Sequence, residues 1–214
     1  GRLNLAGKGV NPGALFAQWP GDLAFTLKTE GELRGTQWLA RADRLDIEGN
    51  LRGYPVRLSA SGELDEKGIR LNKSSLASGQ TTLSASGQIG ESLDLQWQIR
   101  SDDLASLLPG AAGRLRGRGM ARGKADVPLL EMELLAEDVK YAAYSLKDLR
   151  LETDLDLSGG RDSRLLLEAT EGSLETIKVE RLKLTGKGKP GSHKLQLDAV
   201  TSRGDAESTS NVPM

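Results

Sequence analysis

LSASGQI, residues 83–89, is the last of four similar stretches whose pattern decides how this chain folds. Apolar residues occupy every second position in each stretch, and a glycine shares their parity. The earlier stretches are FTLKTEGEL at 25–33, LDIEGNL at 45–51 and LSASGEL at 58–64. Such alternation is typical of a β-strand with one apolar and one solvated face. Because it continues in SLDLQWQI at 92–99 and RLETDLDL at 150–157, the pattern predicts one long sheet.

The composition narrows the class of protein. The 214 residues suffice for one large or two small domains, and the formal net charge of -1 gives no sign of nucleic-acid binding. The absence of cysteine excludes disulfides and thiol chemistry. No apolar run reaches the roughly 18 residues of a membrane span. Because the chain begins with Gly1 and not with Met, we expect it to be a piece of a longer protein.

Turn signals divide the chain into roughly 15 strands, and their short connections require antiparallel order. The predicted strands cover residues 1–10, 22–28, 31–39, 44–53, 55–64, 69–76, 81–89, 92–100, 113–124, 129–136, 139–144, 146–157, 162–170, 174–180, 181–188 and 193–200. The apolar parity changes between Val179 and Leu182, which predicts a bulge or corner near Glu180-Arg181.

Two short helices interrupt the strands. Asn11-Pro12 predicts a helix of about two turns over 12–18, and Ser101-Asp102-Asp103 begins a second that ends at Pro109. We expect residues 1–200 to form one β-domain. The polar segment 201–214 loses the apolar periodicity, which predicts a disordered tail or linker.

A flat sheet of this size would extend for roughly 70 Å, so it must curl, close or split. A sandwich or a closed barrel would bury the apolar face against itself, whereas a trough would leave that face toward a groove. Glycines at the inward parity favour the trough, because they permit bends and close backbone approach. An apolar groove of this extent normally has a partner, and an acyl chain is the simplest flexible apolar one.

The parity assigns the groove lining and one cationic strand face. The predicted lining residues are Leu27, Leu45, Ile47, Leu51, Leu58, Leu64, Leu83, Ile89, Leu93, Leu95, Trp97, Ile99, Leu115, Leu130, Met132, Leu134, Leu149, Leu151, Leu155, Leu157, Leu182, Leu184, Leu195 and Leu197. The opposite parity of GRLRGRGMARGK at 113–124 predicts possible anion contacts, such as lipid phosphates, at Arg114, Arg116, Arg118 and Arg122.

The residue types that carry catalysis or bind metals are scarce. His193 is the single histidine, which leaves almost no material for a catalytic triad or a typical zinc site. Helix capping explains Asp102-Asp103 better than acid–base chemistry does. The stretch GAAG at 110–113 lacks the lysine and the following helix of a phosphate loop, and Arg203-Gly204-Asp205 matches an integrin tripeptide at near-chance length. We therefore expect a protein that is not an enzyme and has neither a cofactor nor a metal.

Motifs spread over residues 1–200 resemble the TamB family, within the wider group of AsmA-like bacterial envelope proteins. The stretches that carry the resemblance are NPGALFAQWPGDL at 11–23, LRGYPVRLSASGEL at 51–64, SLDLQWQIRSDDLASLLPGAAGRLRGRG at 92–119, VPLLEMELLAEDVKYAAYSLKDLRLETDLDLS at 127–158 and HKLQLDA at 193–199. Each motif alone carries little information about family membership, and it is their order along the chain that matches the family.

The resemblance implies a periplasmic segment of a protein anchored in the inner membrane. It implies a β-taco, a long sheet curled around a hydrophobic groove, with phospholipid movement between the inner and outer membranes as the proposed role. A second proposed role that the resemblance implies is assistance to outer-membrane protein assembly with a barrel partner, which we do not expect this segment to contact. The anchor is absent from this sequence. We expect a monomer that shields phospholipid acyl chains and binds no nucleic acid.

Two other functions compete with the lipid conduit. A chaperone-like module would bind outer-membrane protein strands by adding them to an open sheet edge during translocation and assembly. An enzyme acting on polysaccharide would need clustered acids on one strand face, and the inward parity has almost none.

Overall fold

Each strand of the protein pairs with the strands next to it in sequence. A computed structural model describes residues 1–35, 37–174, 177–203 and 206–213, with the backbone alone for Arg34, Leu174, Arg203 and 206–213. Within these residues, fourteen strands form a single antiparallel sheet in the order β1 to β14. The strands are Arg2–Val10 (β1), Gly21–Arg34 (β2), Gln37–Leu51 (β3), Tyr54–Asp65 (β4), Gly68–Ser78 (β5), Thr81–Gly90 (β6), Ser92–Ser101 (β7), Ala111–Lys124 (β8), Leu129–Tyr141 (β9), Tyr144–Asp156 (β10), Ser163–Leu174 (β11), Ile177–Lys189 (β12), Ser192–Arg203 (β13) and Ala206–Pro213 (β14).

The sheet curls into a trough and has no second layer packed on it in the described part of the chain. Extensive contacts join neighbouring strands, and beyond these a loop after β7 packs on β8 and a loop after β1 contacts β2. The accessible surface is 14298 Å², whereas a globular monomer of this mass exposes about 9,600 Å². The all-β, antiparallel trough expected from the sequence is confirmed.

The turns lie alternately along the two edges of the sheet. The upper rim is the edge that holds the connections 11–20, 52–53, 79–80, 102–110 and 142–143, and the lower rim is the opposite edge. The connection 102–110 is named the rim loop. Along the lower rim, the Asp65 carboxylate accepts hydrogen bonds from the backbone N–H groups of Lys67 and Gly68, which confirms the predicted turn there.

Both predicted helices are shorter than expected. They are single 3₁₀ turns at Pro12–Ala14 and Leu104–Ser106, capped by the side chains of Asn11 and Asp103 as the sequence suggested. The helix predicted over 12–18 fails because Leu15 and Phe16 stay in solvent, so no apolar face is buried that could stabilise a second turn. The chain must also return to pair Gly21 with Leu51.

Several predicted breaks lie inside longer strands. The segments 22–28, 31–39 and 44–53 form two strands, because the turn follows Arg34, where Gly35 supplies a positive φ of 63°. The segments 129–136 and 139–144 meet in β9, which passes through Asp138 at a φ of 52° and ends at Tyr141.

β-Bulges explain why these strands continue through an apparent break. The register shifts between Val179 and Arg181, which confirms the bulge predicted at Glu180. Similar irregularities place Asp138, Lys147 and Glu171 at the same level of β9, β10 and β11. Each bulge changes which sequence parity faces the groove, so the apolar side chains on both sides of it keep to one face.

The backbone of the sheet continues beyond residue 200. β13 continues to Arg203, and the backbone of Ala206–Pro213 pairs with it as β14. Ladder hydrogen bonds do not need apolar side chains, so the loss of apolar periodicity at Thr201 does not end the sheet. The expected division at residue 200 stays a prediction, and Gly204, Asp205 and Met214 lie outside the described residues.

Arg52 ties three upper-rim connections together. Its guanidinium carbon lies 4.6 Å from the centroid of the Trp19 ring and 5.8 Å from that of Tyr54. Its Nη2 donates a hydrogen bond of 2.6 Å to the carbonyl oxygen of Ala105 in the rim loop. These contacts join parts of the chain that strand pairing leaves apart, so Arg52 fixes the position of the rim loop.

We predict that Arg52→Ala lowers the free energy of unfolding by about 2 kcal/mol, because it removes a charged hydrogen bond and a cation–π contact. Urea denaturation measures the change. Arg57→Ala, an exposed arginine on the next strand, is the matched control and should change stability by less than about 0.5 kcal/mol. Equal losses in the two variants would contradict the assigned role of Arg52.

Candidate apolar groove

One row of directly paired residues runs across twelve strands and is almost entirely aliphatic. Registered neighbours in antiparallel strands share a face, so the row can be followed from strand to strand. This row, named the aliphatic track, consists of Phe25, Ile47, Leu58, Leu76, Leu83, Ile99, Gly117, Leu134, Leu151, Leu167, Leu184 and Leu197. Eleven strand spacings give the track a length of about 50 Å.

The aliphatic track faces an open space. Its side chains from Phe25 to Leu184 are half-buried, whereas the residues between them in sequence are mostly exposed on the other face of the sheet. The buried apolar residues among the described side chains are Val56, Ala111, Ala136 and Ala169, all small or medium in size. The face is therefore not sealed by interlocked side chains.

A cavity of about 1120 Å³ lies beside the track and crosses β5 to β12. Its volume lies slightly above the roughly 300–1,000 Å³ typical of small-molecule sites. The residues paired across its centre form the cavity row, which consists of Ser74, Ala85, Trp97, Gly119, Met132, Thr153, Leu165 and Gly186. Small residues alternate with long ones here, which leaves space above the sheet.

Trp97 lies flat against β8 because its partner there is a glycine. A Cβ atom on Gly119 would lie 2.8 Å from three atoms of the indole, and one on Gly117 would lie 3.3 Å from Cζ3 of the same ring. The ring therefore covers the backbone of β8 and does not stand up into the cavity. The sequence pattern predicted the inward parity of Trp97 but not this stacking.

The predicted lining residues share one face of the sheet with the aliphatic track, and their contact with a ligand stays a prediction. Leu157 lies outside the strands, because it follows the last residue of β10. Of the predicted lining residues, Leu64, Ile89, Leu157, Leu195 and Leu197 are exposed. Several groove-face residues were not predicted: Phe25, Leu71, Leu76, Leu165 and Leu167. The run Leu165-Leu166-Leu167 offers both parities, and it is the pairing of Leu167 with Leu151 and Leu184 that selects the inward one.

The rim loop closes the upper rim over β5, β6 and β7. Thr81 and Ser101 are 0% exposed on the groove face, and their hydroxyl oxygens lie 2.6 Å apart. The Ser106 hydroxyl lies 2.7 Å from that of Thr81, and the Ser78 hydroxyl donates to the Ser106 carbonyl oxygen at 3.0 Å. Hydrogen bonding satisfies these buried groups, so the polar cluster holds the loop over the groove.

The four predicted anion-contact arginines lie on the outer face, away from the groove. Arg114 pairs with Glu137 at 2.9 Å, Arg118 with Glu133 at 2.7 Å and Arg122 with Asp94 at 3.3 Å. Arg116 lies 3.9 Å from Asp102. These exposed pairs contribute little stability each. Binding of an external anion by these arginines stays a prediction, and the anion would have to compete with the carboxylates.

The same outer-face pairing continues on β11 and β12. Lys183 lies 2.9 Å from Glu168, and its hydrogen bond and positive charge lower the pKa of that carboxyl group below its ordinary value. The charged side chains of the sheet thus neutralise one another across strands, while the groove face remains apolar.

The residues weighed for catalysis take structural positions. His193 is exposed near the start of β13, and the Asp103 carboxylate caps the rim loop by accepting from the Ala105 N–H at 3.0 Å. Among the side chains that are described, no group of three or more His, Asp or Glu residues could hold a metal ion. Neither 3₁₀ turn in the described ranges has the length or apolar character to cross a membrane.

Comparison with known proteins identifies a family whose model matches this chain. A model described as the TamB N-terminal domain matches residues 2–211. The match begins in β1 and ends within β14, so it covers the sheet and not one part of it. No solved structure matches the chain.

We predict that Gly119→Ala lowers the free energy of unfolding by about 1–3 kcal/mol, because the new methyl group must displace the Trp97 ring. Urea denaturation and the near-ultraviolet circular dichroism of the tryptophans would detect the change. Gly31→Ala is the matched control on the same face, since the nearest atom to its Cβ would lie 3.9 Å away. A destabilised Gly31→Ala together with an unchanged Gly119→Ala would contradict the stacking.

Proposed function

This chain belongs to the TamB family of cell-envelope proteins, and we propose that it shields phospholipid acyl chains in its groove. In this proposal the chain is a periplasmic segment of a protein anchored in the inner membrane. Phospholipid passes along it toward the outer membrane. The segment acts as a monomer and without catalysis. Its contact with an outer-membrane barrel partner is not part of the proposal.

The observation that carries the proposal is the aliphatic track. About 50 Å of leucine, isoleucine and phenylalanine side chains lie half-buried along a trough, with no covering layer among the described residues. Contiguous apolar surface of this extent normally has a partner. A ligand that fits must be long, flexible and apolar, and an acyl chain meets all three conditions.

The energetics favour such a ligand. Exposing an acyl chain to water costs about 0.8 kcal/mol per CH₂, or roughly 12 kcal/mol for a chain of 16 carbons. A continuous apolar track removes most of this cost at every position along its length. Crossing the aqueous space between two membranes then needs no covalent chemistry from the protein.

The open edge of β1 supports the second candidate function. β1 pairs with β2 on one side, so its other side presents free backbone donors and acceptors. An extended client segment could add to that edge by β-augmentation, as a chaperone of outer-membrane strands would require. The groove face has no role in that mechanism, which makes the two functions separable.

We predict that Leu95→Arg or Leu155→Arg abolishes phospholipid binding and passage while the chain still folds. Each places a charge on the groove face, where an acyl chain would have to desolvate it. Native mass spectrometry of the purified protein measures co-purified phospholipid, and transfer of a fluorescent phospholipid between vesicles measures passage.

Leu135→Arg is the matched control, because Leu135 is 52% exposed on the outer face. It should bind and transfer lipid as the unmodified chain does. Normal lipid content and transfer in well-folded Leu95→Arg protein would refute the conduit function.

A photo-crosslinking amino acid distinguishes the two candidate functions. Placed at Leu151 in the aliphatic track, it should capture lipid, because an acyl chain would lie against it. Placed at Asn4 on the open edge strand, it should capture no peptide beyond background if the groove carries the function. Peptide capture at Asn4 without lipid capture at Leu151 would favour the chaperone function instead.

A further inference from the structure

We propose that phospholipid enters the groove through the upper rim of β9 to β12, where its phosphate-bearing headgroup stays at the rim. This portal rests on the proposed function and specifies where on the trough the lipid loads. The portal combines an uncovered stretch of rim, two tyrosines, two lysines and an apolar path from the rim to the aliphatic track.

The upper rim differs between its two halves. Over β5 to β7, the rim loop lies on the groove face and seals it through Thr81, Ser101 and Ser106. Between β9 and β10, the connection is the two-residue turn Ala142-Ala143, which is too short to cover anything. The connection from β11 to β12 lies outside the described residues, and the pairing of Leu174 with Ile177 limits it to two residues. A lipid tail could therefore enter sideways at β9 to β12 without displacing the buried polar cluster.

Aromatic side chains mark the uncovered stretch. Tyr141 and Tyr144 pair directly across the turn on the groove face and are 45% and 57% exposed. Ile177, two strands further along the same level, is also exposed. Tyrosine is enriched where apolar and aqueous phases meet, because its ring is apolar and its hydroxyl is polar. The pair suits the level at which a lipid changes from tail to headgroup.

Two lysines without a described carboxylate partner, Lys140 and Lys178, lie on the outer side of the same rim. Each is one residue away in sequence from Tyr141 or Ile177. Lys140, Ser145, Ser173 and Lys178 are paired in that order across four strands, and the two serine hydroxyls lie 2.6 Å apart. Lys147 and Lys183 each pair with a glutamate, whereas Lys140 and Lys178 form no ion pair with a carboxylate whose side chain is described. A lipid phosphate is the anion that such a lysine beside an apolar mouth would take.

An apolar path leads from the tyrosines to the aliphatic track. Below Tyr141 and Tyr144 come the pairs Val139–Leu146 and Ala136–Leu149, and then Leu134–Leu151 in the track itself. Seven residues of extended strand separate Tyr141 from Leu134, or about 23 Å. One leaflet of a bilayer holds about 15 Å of hydrocarbon, so a tail whose headgroup stays at the rim covers about two-thirds of this distance and ends near the Ala136–Leu149 pair.

The lower rim lacks this combination. Its turns at Glu66-Lys67 and at Gly159–Asp162 are polar, and Arg161 there is held by Asp154 at 2.5 Å. Trp38 and Leu33 are exposed on the groove face of the lower rim at β2 and β3, but the described residues of that rim at β9 to β12 include no aromatic side chain. A matched control for the portal is therefore available on the same protein.

The test measures uptake from donor vesicles of phosphatidylethanolamine and phosphatidylglycerol that contain a trace of tail-labelled phosphatidylglycerol. Lys178→Gln should weaken the apparent affinity for phosphatidylglycerol about fivefold, the factor expected for one lysine near an anionic lipid surface. Uptake of the tail-matched diacylglycerol, which has no phosphate, should not change. Tyr144→Ser should reduce the uptake of both lipids. Lys67→Gln on the lower rim should change neither.

The outcomes separate this portal from the groove function. The portal would be overturned if the unmodified chain takes up lipid, Leu151→Arg abolishes this uptake, and Lys178→Gln leaves the affinity for phosphatidylglycerol unchanged. The groove function would still stand in that case. An equal loss in Lys67→Gln and Lys178→Gln would also overturn it, because it would show a general charge effect. No uptake of either lipid by the unmodified chain would overturn both.

Discussion

The structure depends on a register that is kept through the eleven strand pairings of the aliphatic track, with bulges where the pairing shifts. Because side chains alternate along a strand, a slip of one residue would move every apolar side chain of that strand to the solvent face. The pairings Ile47↔Leu58, Leu83↔Ile99 and Leu151↔Leu167 show that it is kept in distant parts of the sheet. One continuous apolar face results, and the groove is that face after the sheet has curled.

The cost of this design is exposed apolar surface. The sheet buries little against itself, and the contacts that hold it together lie mainly between neighbouring strands. The outer-face ion pairs and the rim contacts of Arg52 add local restraints. They do not cover the groove face. An apolar face that stays uncovered along a trough is an aggregation risk unless a ligand occupies it, and this is why its partner is the central question about function.

The sequence made the fold class and the groove parity predictable, because alternation of apolar residues reports directly on strand faces. Strand boundaries were less predictable, for a physical reason that the bulges show. The change of parity at Glu180 was recognised as a bulge. The break predicted between residues 136 and 139 is wrong, because β9 continues through an irregularity at Asp138. Pairing with a neighbouring strand, and not local composition, decides between a turn and a bulge.

The candidate site was predictable in part for the same reason. Leu134 and Leu151 follow from parity alone, whereas Leu167 needs its partners in β10 and β12 to be placed. The stacking of Trp97 on Gly119 and the sealing of Thr81 by Ser106 depend on contacts between residues distant in sequence. No periodicity in a single strand reports such contacts. The contact of Ser106 with Thr81 also distinguishes the covered half of the upper rim from the uncovered half.

The uniformity of the aliphatic track bears on whether a bound chain could move. Neighbouring strands present nearly equivalent leucine or isoleucine side chains about 4.8 Å apart. An acyl chain that slides by one strand spacing therefore exchanges each contact for one of the same kind, and the free energy changes little. A core of interlocked aromatic rings would offer deep, specific sites and hold the ligand in place. The low aromatic content of 4% thus fits a surface for passage better than one for tight binding at a single site.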